Sequence, residues 1–198
     1  MDRQAQFKAR QEMIFETAER LLLENGELGM TLDLLASELD LAKGTLYKHF
    51  QSKDELYMLL ILRHEKILLE MFYLRQSHTF IKKLEYFILY HLNHPERTIL
   101  YHLLEEKLAN VAGVQSLFRQ LYQVRKQRLK ETLSAIHEYL LVEKSKIPAR
   151  DYIALIWSLV YGAAMLLNSS FYQRYLGSRE TLKRAYVKQA LDIPKSYL

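Results

Sequence analysis

The chain has 198 residues, of which 49% are hydrophobic and 26% charged, with only 6 glycines and 3 prolines. This composition supports a packed core and leaves few turn residues for a strand-rich protein, so an all-α fold is expected. Cysteine is absent, which excludes disulfides, thiolate metal sites and cysteine nucleophiles, and the formal charge of +5 points only weakly to nucleic acid.

Phe7, Ile14, Ala18, Leu21 and Leu22 recur at helical spacing, and Asn25-Gly26 supplies a stop, predicting a first helix. Thr31 is placed to cap a short second helix with Asp33 in its first turn and Leu34, Leu35, Ala36 and Leu39 behind it; Asp40 marks its end. A third short helix is expected from about 42 to 50, with Leu46 and Phe50 facing inward. Ser52-Lys53-Asp54-Glu55 reads as a capping box that opens a fourth helix over about 53–74. Beyond Gln76-Ser77-His78, helices are expected near 79–93, 96–110, 114–143, 149–174 and 178–190. The division that follows is an N-terminal module over 1–54 and a helical remainder over 55–198, with helix four as the link.

Residues 1–53 hold seven basic and nine acidic side chains, a net of −2, yet Leu41 to Lys53 contains three lysines and no acid. Local positive potential, not a positive average, is what a DNA-binding module needs. Three short helices with a tight turn between the second and third form a helix-turn-helix pattern, whose third helix would enter the major groove. Burying Leu46 and Phe50 leaves Lys43, Gly44, Thr45, Tyr47, Lys48 and His49 facing out. Gly44 costs about 1 kcal/mol relative to alanine inside a helix, and close approach of DNA is one reason to keep it. Each residue taken alone has an ordinary reading: solvated lysines, a packing tyrosine, a histidine that caps its neighbour. Their joint order favours DNA.

The run from Met30 to Leu56, with its core Thr45-Leu46-Tyr47-Lys48-His49-Phe50 and the following Ser52-Lys53-Asp54-Glu55-Leu56, resembles the N-terminal signature of TetR-family regulators. The resemblance extends from about Gln11 to Leu60. It implies an all-α protein with a three-helix DNA-binding domain followed by a helical domain for effector binding and dimerisation. It also implies phosphate contacts from Thr31, Tyr47, His49 and Lys53, and candidate base contacts from Lys43, Thr45 and Lys48. Two positions depart from the family pattern. Asp40 stands where glycine is common, and Ala42 where serine is frequent, which removes one side-chain cap.

Residues 152–173 carry no formal charge. The stretch is long enough to cross a bilayer, but Ser158, Asn168, Ser169 and Ser170 favour a helix packed against protein. Gly162, Ala163, Met165 and Leu166 are the candidate dimer contacts, and the resemblance implies a four-helix bundle across the dimer axis. The same resemblance implies a pocket for a small organic effector. Phe87, Tyr90, His91 and Tyr101 are candidates to line it, with Phe118, Tyr122, Trp157 and Tyr161 on later helices, although aromatic stripes also build plain cores. The basic run from Arg119 to Lys130 could attract an anionic effector, but it reads more simply as a solvated face. His91, His94 and His102 lack metal-ligand spacing, and no nucleophile–base pair stands out. The expectation is therefore a cytoplasmic, non-enzymatic DNA-binding homodimer without metal, cofactor or membrane. Its expected action is repression at a pseudo-palindromic operator until a small effector releases it. The rival is a DNA-bound adaptor or DNA-organising protein whose C-terminal domain binds another protein.

Overall fold

A computed structural model describes residues 2–74 and 79–197; the break expected at Gln76-Ser77-His78 lies outside them. The helices are α1 (Arg3–Gly29), α2 (Leu32–Glu38), α3 (Lys43–Leu46), α4 (Lys53–Leu74), α5 (Phe80–Asn93), α6 (Pro95–Leu108), α7 (Gln115–Val142), α8 (Ala149–Asn168) and α9 (Arg179–Asp192). No strand occurs among the described residues, so the all-α expectation holds. The chain forms two compact units, one of Met1–His64 with Leu103–Leu121, the other of Glu65–His102 with Tyr122–Leu198.

In the first unit, Ile14, Ala18 and Leu22 of α1 are buried together with Leu35 of α2, Leu46 of α3 and Leu56 of α4. The predicted stop in α1 lies where Asn25-Gly26 put it. Gly26 has φ 67° and ψ −179°, a region open almost only to glycine, in place of the left-handed cap expected there. The Thr31 hydroxyl oxygen accepts the Leu34 N–H at 3.1 Å, a cap that contributes about 1 kcal/mol. Asp40 has φ 51° and takes the left-handed turn conformation that aspartate tolerates. Ser52 accepts the Glu55 N–H at 3.1 Å, and the Glu55 carboxylate reaches back to the N–H of Gln51. The capping box therefore closes one residue earlier than its usual form. Arg20 joins α1 to α2 through Glu38, and Arg63 joins α4 to α1 through Glu12 at 2.8 Å.

In the second unit, α5, α8 and α9 pack on one another around Ile88, Leu92, Tyr152, Ile156 and Val160. α8 stops at Asn168, well before the predicted 174. Ser169 accounts for the early end. Its N–H returns to the Leu166 carbonyl at 3.3 Å, and its hydroxyl accepts the Tyr172 N–H at 3.4 Å, local bonds that compete with a continuing helix. The C-terminal turn of α9 is pinned by two tyrosines. Tyr152 donates to the Ala190 carbonyl at 3.0 Å, and Tyr139 donates to that of Leu191 at 3.2 Å. Burial pushes both phenol pKa values up, so both hydroxyls stay protonated donors. Ala149–Asn168 is the one helix among the described residues long and apolar enough to cross a membrane.

Candidate DNA-binding surface and ligand cavity

The α-helical part of α3 is a single turn, Lys43–Leu46, and Tyr47, Lys48 and His49 follow as a turn. The expected helix to Phe50 is thus shortened. Leu46 and Phe50 are buried as predicted. Lys43, Gly44, Tyr47 and Lys48 are exposed and Thr45 is half-buried. Ala42 supplies no side-chain cap, as its departure from the family pattern implied. A Cβ placed on Gly44 would meet nothing within 4 Å, so nothing in the chain itself requires glycine there.

His49 departs from the outward orientation read from sequence. It is only 8% exposed, and its ring stacks on Phe7 of α1 with centroids 4.1 Å apart. Its Nδ1 is buried without a partner. Burial lowers its pKa, and the nearby charges of Arg10 and Lys48 lower it further. At neutral pH it is an uncharged imidazole, and any phosphate contact it makes is a hydrogen bond and not an ion pair.

Two of the candidate cations are already engaged. The Lys43 ammonium lies 2.8 Å from the Asp33 carboxylate; that hydrogen bond, then the charge of Asp33, raises the lysine pKa. Both partners are exposed, and such pairs contribute little to stability, so a DNA ligand can take Lys43 over at small cost. Lys53 donates to the Glu27 carbonyl at 2.9 Å and stands 5.5 Å from the Tyr57 ring centre. Lys48 has no ion-pair partner among the described residues. Thr31 is exposed; its oxygen is used by the cap, and its O–H is left to donate.

A cavity of about 700 Å³, including its open mouth, lies in the second unit. Of the eight aromatic candidates, Phe87 and Trp157 line it. Tyr90, His91 and Tyr161 belong to the ring cluster next to these two: His91 meets Phe87 edge-on at 4.8 Å, and Tyr161 stacks on Trp157 at 5.5 Å. The His91 ring is buried and bonded to Thr98 at 3.2 Å, a structural role. Tyr101 is buried but does not line the cavity. Tyr122 is 63% exposed, and Phe118 falls in the first unit. Sequence reasoning missed most of the wall, which includes Leu68, Phe72, Leu84, Ile136 and Ile153, and it missed Lys83; Arg128 entered only as part of the basic run Arg119 to Lys130.

Arg128 corrects the reading of Arg119 to Lys130 as a solvated face. Its side chain is 12% exposed, and its Nε donates to the buried carboxylate of Glu65. Its guanidinium lies 5.4 Å from the Trp157 ring centre and 5.9 Å from that of Phe87. Arg125 holds the other oxygen of Glu65 at 2.9 Å.

Residues 14–58 match the sequence profile of the bacterial regulatory proteins of the tetR family. This segment carries the tetR-family helix-turn-helix module. Solved structures extend the likeness beyond the matched segment. A tetR-family regulatory protein from Rhodococcus is 15% identical and superposes with a TM-score of 0.71 over 93% of this chain and 96% of that one. The regulator FadR from Bacillus subtilis, solved in complex with stearoyl-CoA, is 16% identical with a TM-score of 0.66 over 91% and 97% of the two chains. FadR from Bacillus halodurans is 13% identical with a TM-score of 0.64 over 92% and 94%. At these identities the likeness concerns the fold. No curated protein matches in sequence.

The chain therefore carries a helix-turn-helix DNA-binding domain at its N-terminus, and its second unit offers a further surface on α8. Ala163, a candidate dimer contact, is 2% exposed and packs within its own chain. Gly162 and Met165 are exposed and Leu166 is half-buried. Ala154, Leu155, Ser158 and Tyr161 continue the exposed face at helical spacing. From Ala154 onward this face is uncharged, with exposed Asp151 at its start, whereas solvated helix faces ordinarily carry charge.

Proposed function

We propose that this protein is a homodimeric transcriptional repressor that leaves its operator when a small molecule enters the cavity of the second unit. The observation that carries the reading is the exposed turn of the segment Leu41 to Lys53, which has no acid of its own and meets one from α2, Asp33, at Lys43. Lys43, Gly44, Tyr47 and Lys48 are all exposed there, on a turn anchored by buried Leu46 and Phe50. In this reading residues 1–54 dock on DNA and 55–198 bind effector and partner. Thr31, Tyr47, His49 and Lys53 hold phosphates, while Lys43, Thr45 and Lys48 face base edges. The uncharged face of α8 meets its copy, so that two modules read half-sites one helical turn apart.

The effector part rests on a cavity lined mainly by apolar and aromatic side chains with a few polar groups, as ligand sites are, and on the stearoyl-CoA held by the FadR relative. An effector releases DNA only by binding the released conformation more tightly than the bound one. The rival, a DNA-bound adaptor for another protein, is disfavoured by an apolar cavity within one unit where a partner-binding protein needs an open groove. A cytoplasmic site of action follows from the DNA target. The test is a footprint on the DNA flanking the protein's own gene, with and without cell-extract metabolites. A symmetric footprint that metabolites erase supports the reading; a footprint that no metabolite alters favours the adaptor.

A further inference from the structure

We propose that the cavity of the second unit is built for an amphiphile with one anionic group, carboxylate or phosphate, whose charge is received by Arg128 and Lys83. The inference rests on the effector reading above and names the chemistry of the ligand. Among the described lining residues there are two cations and no carboxylate. Charges placed in apolar surroundings need partners, and neither cation is fully matched by the protein.

Arg128 has only a share in a counter-ion. Glu65 is one carboxylate divided between Arg125 and Arg128. The Nε contact commits one of five guanidinium donors, and the fork is further fixed against the rings of Phe87 and Trp157. A planar fork held in place on one edge is preorganised to accept a carboxylate or phosphate on the other. Glu65 thus acts as a positioning residue: it is buried and orients the guanidinium. Lys83 is half-buried, and its ammonium lies 4.6 Å from the Phe72 ring centre, with no carboxylate partner among the described residues. A ring face is a weak partner for an ammonium, readily given up to an anion. The Thr132 hydroxyl donates to the Arg128 carbonyl at 2.8 Å, so its proton is already used. The rest of the wall, Leu68, Leu84, Ile136 and Ile153 among it, suits an aliphatic or aromatic body.

Trp157 is the only tryptophan in the sequence and lines the cavity, so its fluorescence reports occupancy directly. The full chain is titrated with decanoate, decyl phosphate, decanol and decyltrimethylammonium below their micelle thresholds. The anions should bind at least about tenfold more tightly than the alcohol or the cation, as expected for one charge-assisted hydrogen bond. The order of decanoate and decyl phosphate tells which anion is preferred. Lys83→Met and Arg128→Gln should each remove most of that preference, read as the ratio of anion to decanol affinity within the same variant. Arg128→Gln leaves Glu65 with one partner fewer; if that variant does not fold, Lys83→Met decides. Equal binding of all four compounds, or an anion preference that survives Lys83→Met, overturns the proposal and leaves the effector reading standing. Failure of every compound to alter the fluorescence overturns both.

Discussion

The imidazole of His49 lies against the ring of Phe7, with centroids 4.1 Å apart and planes inclined by 21°. This contact joins the start of α1 to the end of the turn proposed to face DNA. Replacing Phe7 by alanine removes an aromatic pair worth about 0.5–1.5 kcal/mol beyond its buried area. Thermal melts should register that loss, and DNA affinity should fall with it because the turn loses its support. An unchanged melt would show that the stack does not hold the turn.

Burial of the same imidazole, with the charges of Arg10 and Lys48 beside it, sets a pH dependence. The folded pKa of His49 is lowered from 6.5, so the unfolded chain takes the proton first. The contribution is whole above 6.5, declines as pH falls below it, and is fully lost once the folded imidazole is also protonated. Melts across mildly acid pH should show this decline in the wild type and a smaller one in His49→Gln. Parallel pH profiles would remove His49 from the account.

Gly44→Ala separates folding from binding. The added methyl meets no atom within 4 Å, and alanine favours helix by up to about 1 kcal/mol. Stability should hold or rise while operator affinity falls, because the methyl occupies the face offered to DNA. Mobility shifts and melts on the same preparation test this; full affinity would mean that no DNA backbone approaches Gly44.

Lys43 and Lys53 should respond differently to substitution. Lys53→Ala should weaken all DNA sequences alike and reduce the salt slope by about one unit, with some loss of stability from the freed Glu27 carbonyl. Asp33→Asn removes the partner of Lys43 and should tighten DNA binding. A changed base preference in Lys53→Ala would contradict its phosphate role. Weaker binding in Asp33→Asn would contradict the idea that Asp33 only occupies Lys43.

Met165→Asp places a charge on the uncharged face of α8, where the side chain is 58% exposed. The monomer should fold, since no buried contact is lost. Sedimentation should show dissociation, and operator binding should fall steeply. A variant that stays dimeric would place the interface elsewhere.

The N-terminal domain was largely legible because its signals are local. Thr31, Asp40 and Ser52 act within a few residues of their own positions, and the buried spacing of Leu46 and Phe50 is short-range. The orientation of His49 was misread because helical periodicity was extended past Leu46, where α3 ends, and because Phe7 is remote in sequence. The cavity was harder for the same reason. Arg128 looks solvated within its own basic run, and only the fold brings Glu65, from α4, against it. Counting aromatics found Phe87 and Trp157 but could not separate the cavity wall from the ring cluster next to it.

The central claim is that two copies read DNA through the Lys43–His49 turns. Selection of binding sequences from random duplex DNA with the purified full chain tests it most directly. The account predicts a pseudo-palindrome whose half-sites lie about 34–36 Å apart or a multiple of one turn, bound by an even number of chains and lost in Lys43→Ala with Lys48→Ala. Binding without sequence preference, or a single asymmetric site occupied by one chain, would contradict it.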